Sequence, residues 1–95
     1  MNINFSGNVF YWRGPAPWYF VAISDEGSDQ IRAIADIVTY GWGVIPVVAV
    51  IGGTTWETSI IPKDGRYLVP IKATIRKAES ISEGDIVEVC VQIDV

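Results

Sequence analysis

YLVPIKATIRKAESISEGDIVEVCVQID, residues Tyr67–Asp94, is the stretch that decides the fold of this chain. Tyr67, Val69 and Ile71 alternate with Leu68, the period of a strand. Pro70 has no N–H to give to a ladder, so that strand is expected to end there or to lie at an edge. From Ile71 the spacing changes. Ile71, Ile75 and Ala78 share one helical face, with Lys72, Arg76 and Lys77 outside it. Ser80 or Ser82 can bond backbone donors locally and favours a turn over a longer helix. After Gly84-Asp85 the period becomes two. Val87, Val89, Val91 and Ile93 form an apolar face, and Ile86, Glu88, Cys90, Gln92 and Asp94 a mixed one.

Working outward toward the N-terminus, residues 3–12 also alternate. Ile3, Phe5, Gly7, Val9 and Tyr11 share one face; Asn4, Ser6, Asn8, Phe10 and Trp12 share the other. The run RGPAP (13–17) predicts a loop, because its prolines and glycine interrupt pairing. WYFVAIS (18–24) predicts a strand buried on both faces, and its nearness to the first strand predicts an antiparallel hairpin. Ser24-Asp25-Glu26 and Ser28-Asp29 both resemble helix starts, with capping oxygens and carboxylates suited to the positive end of the helix dipole. Ile31, Ile34, Ala35 and Val38 make an apolar stripe, and Arg32–Asp36 an i, i+4 pair. The helix is expected over about residues 29–39, stopped by Gly41 and Gly43. GVIPVVAVI (43–51) predicts a strand in which Pro46 marks an edge or a bulge. Gly52-Gly53 predicts a turn and Thr55–Pro62 the returning strand. Lys63-Asp64-Gly65 predicts a second tight turn, with Gly65 at positive φ.

The resulting order is β-β-α-β-β-β-α-β. Six strands, several of them apolar on both faces, are most simply hidden in a closed or nearly closed barrel with two short helices. At 95 residues the chain is expected to be a single domain, residues 1–95. A chain of this size buries roughly 60–65% of its unfolded surface, enough for one core without staples.

Composition removes several chemistries. There is no histidine and only one cysteine. Ser-His and Cys-His nucleophiles, the usual proton shuttle and a zinc site are therefore excluded. No G-x-x-x-x-G-K-[ST] run occurs, and Gly52-Gly53 precedes a strand rather than a helix. Asp25, Glu26 and Asp29 are read as helix-start residues in preference to a metal site. Glu57 alternates onto the face opposite Trp56 and has no clear second carboxylate. No catalytic residue, cofactor or metal is assigned, and an enzyme is not the expectation. Cys90, in mid-strand, is expected to be a buried, inert thiol. The polar start MNINFSGN is unlike a signal peptide, and no apolar run is long enough to span a membrane, so the expectation is a cytoplasmic protein.

The net charge of −4 is unevenly divided. Residues 63–77 carry Lys63, Arg66, Lys72, Arg76 and Lys77 against Asp64 alone, whereas the rest carries Arg13 and Arg32 against ten carboxylates. Such a division is either an anion-facing surface or a solvated helix face. Lys72 and Arg76 repel one another at i, i+4, which a bound anion or Glu79 would offset.

The candidate ligand-binding residues are Trp56, Thr58, Ser59, Lys63, Lys72 and Arg76. Aromatic, hydroxyl and cationic groups together suit an anionic or aromatic ligand. The alternative is that Trp56 belongs to the core, Thr58 and Ser59 satisfy backbone groups and the cations are solvated. Tyr11, Trp12, Trp18 and Trp42, beside Gly and Pro loops, are either an aromatic rim or core.

The aromatic FSG…W start, WYFVAIS, the GWG turn, IGGTTWETSIIPKDGRYLVPIKATIRKA and ISEGDIVEVCVQID together resemble a small prokaryotic family known only as a domain of unknown function. The likeness covers nearly the whole chain. It implies a double-split β-barrel, in the fold group of the AbrB and MazE DNA-binding proteins. It also implies that relatives occur fused to YdeI/OmpD-associated domains. The ending IRKAESISEGDIVEVCV is itself similar to the AbrB pattern of short helix, GD turn and closing strand. A shared fold does not carry DNA binding with it.

Two functions follow as expectations. One is a non-catalytic binding module for a small anionic ligand or a protein partner. The other is an AbrB-like nucleic-acid-binding regulator acting as a dimer. Net charge and the lack of a basic N-terminal arm weigh against the second. The chain is expected to be a monomer or a homodimer.

Overall fold

The computed structural model describes residues 1–14, 18–38 and 43–94. Eight elements follow the expected order: β1 (Asn2–Trp12), β2 (Trp18–Ala22), α1 (Asp25–Val38), β3 (Ile45–Ile51), β4 (Thr54–Lys63), β5 (Arg66–Pro70), α2 (Ala73–Ala78) and β6 (Ile86–Gln92). The strands close into a barrel in the order β1-β2-β5-β4-β3-β6, with every pair antiparallel. Closure gives every strand two neighbours, so none of the described strands is an edge strand.

Two long strands turn the corners. β1 pairs β6 through Asn2–Asn8 and then β2 through Val9–Trp12. β4 pairs β3 through Thr54–Ile60 and then β5 through Ile61–Lys63. Alternation then fills the interior: Ile3, Phe5, Val9, Val21, Ile45, Val47, Ala49, Trp56, Ile60, Val69, Val87, Val89 and Val91 are all buried in one cluster. Each large aliphatic side chain so placed contributes about 1.5–3 kcal/mol.

The turns follow their chemistry. Asp64 (φ 51°) and Gly65 (φ 82°) both adopt the left-handed conformation that a two-residue hairpin requires, and the Asp-Gly pair supplies it. The Gly84-Asp85 turn is stitched to β1. Gly84 N–H donates to Val9 O (2.7 Å), Val9 N–H donates to Asp85 O (2.8 Å), and the Asp85 carboxylate accepts from Ser82 N–H (2.8 Å).

Four expectations are corrected. The first helix begins at Asp25, a turn earlier than residue 29, because Ser24 is the residue that caps it: its Oγ accepts from Gly27 N–H at 3.2 Å. Ser28 is instead fully buried. Its hydroxyl donates to Ile23 O (3.3 Å) and accepts from Tyr67 N–H (3.2 Å), pinning α1 to β5. Asp29 pairs with Arg32 at 2.7 Å, while the side chain of Asp36 lies outside the described residues.

Pro46 does not mark an edge strand. It pairs with Ser59 on β4, and the β6 ladder reaches β3 only at Val48–Val50, so its missing N–H breaks no bond. Cys90 is half-buried, not buried, because its parity places it with Glu88 and Gln92 on the outer face. Ala78 is exposed, whereas Ile71 and Ile75 are buried as expected. Pro70 ends β5, as its missing donor requires.

Helix α1 lies close against β1. A Cβ at Gly27 would fall 2.8 Å from methyl carbons of both Ile3 and Ile23, so glycine permits the approach. Helix α2 ends in a Schellman motif. Ile81 N–H donates to Arg76 O (2.8 Å) and Ser80 N–H to Lys77 O (3.4 Å), with Ser80 at φ 55°. No helix among the described residues is long and apolar enough to cross a membrane.

Candidate functional site: an aromatic cleft where β5 ends

The short β5 opens an aromatic cleft. Between β2 and β4, β5 stops at Pro70, opposite Phe20. Trp18 on one side and Trp56–Ile60 on the other continue without a β5 partner. The opening so left is a cleft of about 440 Å³, within the size range of small-molecule sites. Trp12, Trp18, Phe20, Ile61 and Pro70 give it apolar walls; Trp56, Glu57, Thr58 and Lys72 complete its lining.

The walls are aromatic by register. Trp12 pairs with Trp18 and Phe10 with Phe20 across the β1–β2 ladder, all on the outer face. Trp12 and Phe20 lie 5.8 Å apart between ring centroids, at 53°, a tilted contact that orders both rings. Trp18 is 44% exposed, a large surface for an aromatic ring and one available to a ligand.

The polar groups are few. Lys72, at the start of α2, is exposed and belongs to no ion pair among the described residues. Glu57 is exposed on the outer face of β4, and Thr58 is half-buried on its inner face. Trp56 is 6% exposed, and its Nε1 donor has no hydrogen-bond partner. An unsatisfied buried donor costs about 1–3 kcal/mol, and among the described residues this indole is the one buried side-chain N or O left so.

Of the six candidate residues, Trp56, Thr58 and Lys72 line the cleft; Ser59, Lys63 and Arg76 do not. Ser59 alternates to the outer face and pairs with Pro46. Lys63 sits 4.8 Å from the Trp12 ring centroid and 3.6 Å from the Asp64 carboxylate, and lines a separate hollow with Phe10, Tyr11 and Arg66. Arg76 stacks on Tyr19 at 3.9 Å and donates to Ile71 O at 2.7 Å, so it fastens α2 to β2. The Glu79 carboxylate, the sequence-based partner for Arg76, accepts instead from the Thr54 hydroxyl.

The basic segment is thereby divided. Arg66 Nε donates to Ile23 O at 2.9 Å and lies 3.3 Å from Asp25 at the start of α1. With Lys63 and Arg76 also engaged, Lys72 and Lys77 are the two cations of 63–77 without such a partner among the described residues.

Trp12 and Trp18 were visible in the sequence as rim aromatics. Tyr11 instead makes a tilted contact with Tyr19 at 4.9 Å between ring centroids, under Arg13 at 5.4 Å. Trp42 lies outside the described residues. Phe20, Ile61, Pro70 and Glu57 were missed as site residues. The one available signal was Pro70, which ends β5 and so opens the gap. No group of three or more Asp, Glu or Cys side chains suited to a metal occurs among the described residues.

The closed six-stranded barrel is the fold class expected from the strand pattern. The profile of a family described as Domain of unknown function (DUF1905) matches residues 5–91, and the chain belongs to that family. No curated protein matches it.

Proposed function

We propose that this domain is a non-catalytic binding module whose cleft takes a small anionic ligand with an aromatic body. One observation carries the reading: a cleft of about 440 Å³ walled by Trp12, Trp18 and Phe20 has Lys72, free of any ion pair among the described residues, on its lining. Aromatic walls hold a flat apolar body, and a cation at the lining selects the charged end. The protein works in the cytoplasm on this reading, as a monomer or homodimer.

We also read the barrel as double-split and AbrB-like. What supports this is the passage of β1 and β4 from one set of partners to another, together with the helix–GD turn–strand ending. Nucleic-acid binding is the weaker reading. Three of its five clustered cations are engaged by protein groups, and duplex binding needs several phosphate contacts.

A thermal-shift panel of aromatic carboxylates, nucleotides and short duplex DNA tests the proposal, run on the parent and on Trp18→Ala. A ligand at about 100 times its Kd stabilises by roughly 2.7 kcal/mol. The reading predicts a rise in Tm with aromatic anions in the parent that is absent from Trp18→Ala. A rise with duplex alone, reversed by salt, overturns it in favour of the regulator.

A further inference from the structure

The charges on the cleft are more specific than a single cation. Lys72 and Glu57 both line it, and neither belongs to an ion pair among the described residues. The third polar feature is the Trp56 indole N–H, buried and without an acceptor among the described residues. Such a donor carries a desolvation penalty, removed by any ligand that brings an oxygen to it. Trp56 lines the cleft, but its Nε1 has no solvent-exposed surface, so the contact requires a side-chain adjustment of the kind common on binding.

From these three groups we infer that the ligand is a flat aromatic monocarboxylate. Its ring lies against Trp12, Trp18 and Phe20, and its carboxylate is neutralised by Lys72 and accepts a hydrogen bond from Trp56 Nε1–H. Glu57 sets the limit of one negative charge. A dianionic phosphate meets the same Lys72 but is repelled by the Glu57 carboxylate. A cationic ligand is repelled by Lys72 on the lining and has only Glu57 there as a counter-charge. A neutral aromatic gains the stacking and forgoes the charge. This inference rests on the cleft being a ligand site at all, and the test separates the two.

The probes are four compounds with one ring system: 2-naphthoate, 2-naphthamide, 2-naphthyl phosphate and 2-naphthylmethylamine. Binding is measured by calorimetry and by the indole N–H resonances of the ¹⁵N-labelled protein. The chain has four tryptophans, assigned by single Trp→Phe variants. The expected result is that naphthoate binds about tenfold or more tighter than the amide, as a charge-assisted bond outweighs a neutral one. Phosphate and ammonium compounds bind more weakly still, and the Trp56 N–H resonance moves downfield with naphthoate.

Lys72→Gln brings naphthoate and amide together without changing Tm, and Glu57→Gln selectively improves the phosphate. Equal binding of all four at Trp12 and Trp18, with the Trp56 resonance unmoved, overturns the monocarboxylate inference and leaves the cleft as a ligand site. Tighter binding of the phosphate or ammonium compound in the parent does the same. No perturbation of Trp12 or Trp18 by any of the four overturns the cleft itself, and the inference with it.

Discussion

Replacing Ser28 by alanine removes one hydroxyl from a position with no exposed surface. In the β4–β5 hairpin, Tyr67 turns its N–H away from β4, and the acceptor it meets is Ser28 Oγ at 3.2 Å. The same hydroxyl donates to Ile23 O at 3.3 Å, a longer and weaker bond. Alanine leaves the Tyr67 N–H buried without a partner, at a cost of about 1–3 kcal/mol. Against this, alanine is the better helix former by a few tenths of a kcal/mol. The net loss is about 1–2 kcal/mol, which for a domain of this length lowers Tm by roughly 4–16 °C.

Calorimetric unfolding of the two proteins measures that difference. Amide exchange at Tyr67 locates it, because the orphaned N–H must lose protection more than its neighbours in β5. A Tm within about 2 °C of the parent, with Tyr67 still protected, refutes the claim that Ser28 joins α1 to β5.

Other substitutions test the remaining structure. Ser80→Gly relieves a left-handed residue at the end of α2 and is expected to raise stability by about 0.5–1 kcal/mol, read as a higher denaturation midpoint. Gly27→Ala brings a methyl within 2.8 Å of Ile3 and Ile23 and is expected to cost about 1–3 kcal/mol despite its better helix propensity, again by unfolding midpoint. Arg76→Ala loses the Tyr19 stack and the bond to Ile71 O and is expected to lower Tm, whereas Lys72→Ala, exposed and unpaired among the described residues, leaves Tm unchanged and weakens only ligand binding.

The strand plan was legible because period two is strong wherever a strand has one wet face. Ile3–Trp12 and Ile86–Ile93 declare their inward residues directly, and the Asp64-Gly65 and Gly84-Asp85 turns separate the elements. The start of α1 was harder, since Ser24 and Ser28 offer the same capping chemistry and only the position of Tyr67 decides which of them is buried. The role of Arg76 was illegible for a similar reason. Its spacing puts it on an outer helix face, but Tyr19, more than fifty residues earlier, supplies the ring it lies on.

The cleft is the clearest case. Its walls come from β1, β2, β4 and β5 and its cation from the start of α2, so no local window contains it. Trp56 and Lys72 could be chosen by residue type. Phe20, Ile61 and Pro70 enter only through the register that places β5 between β2 and β4 and stops it short. Lys63 and Arg76 were drawn in by the local excess of positive charge, which three-dimensional pairing then divides among Asp64, Asp25, Trp12 and Tyr19.

The most direct measurement of the central claim is a crystal structure of the protein grown with 2-naphthoate. The account predicts the naphthyl ring against Trp12, Trp18 and Phe20 in the cleft, with the carboxylate at Lys72. A ring bound anywhere else on the barrel, or a cleft that stays empty when calorimetry shows binding in solution, contradicts it.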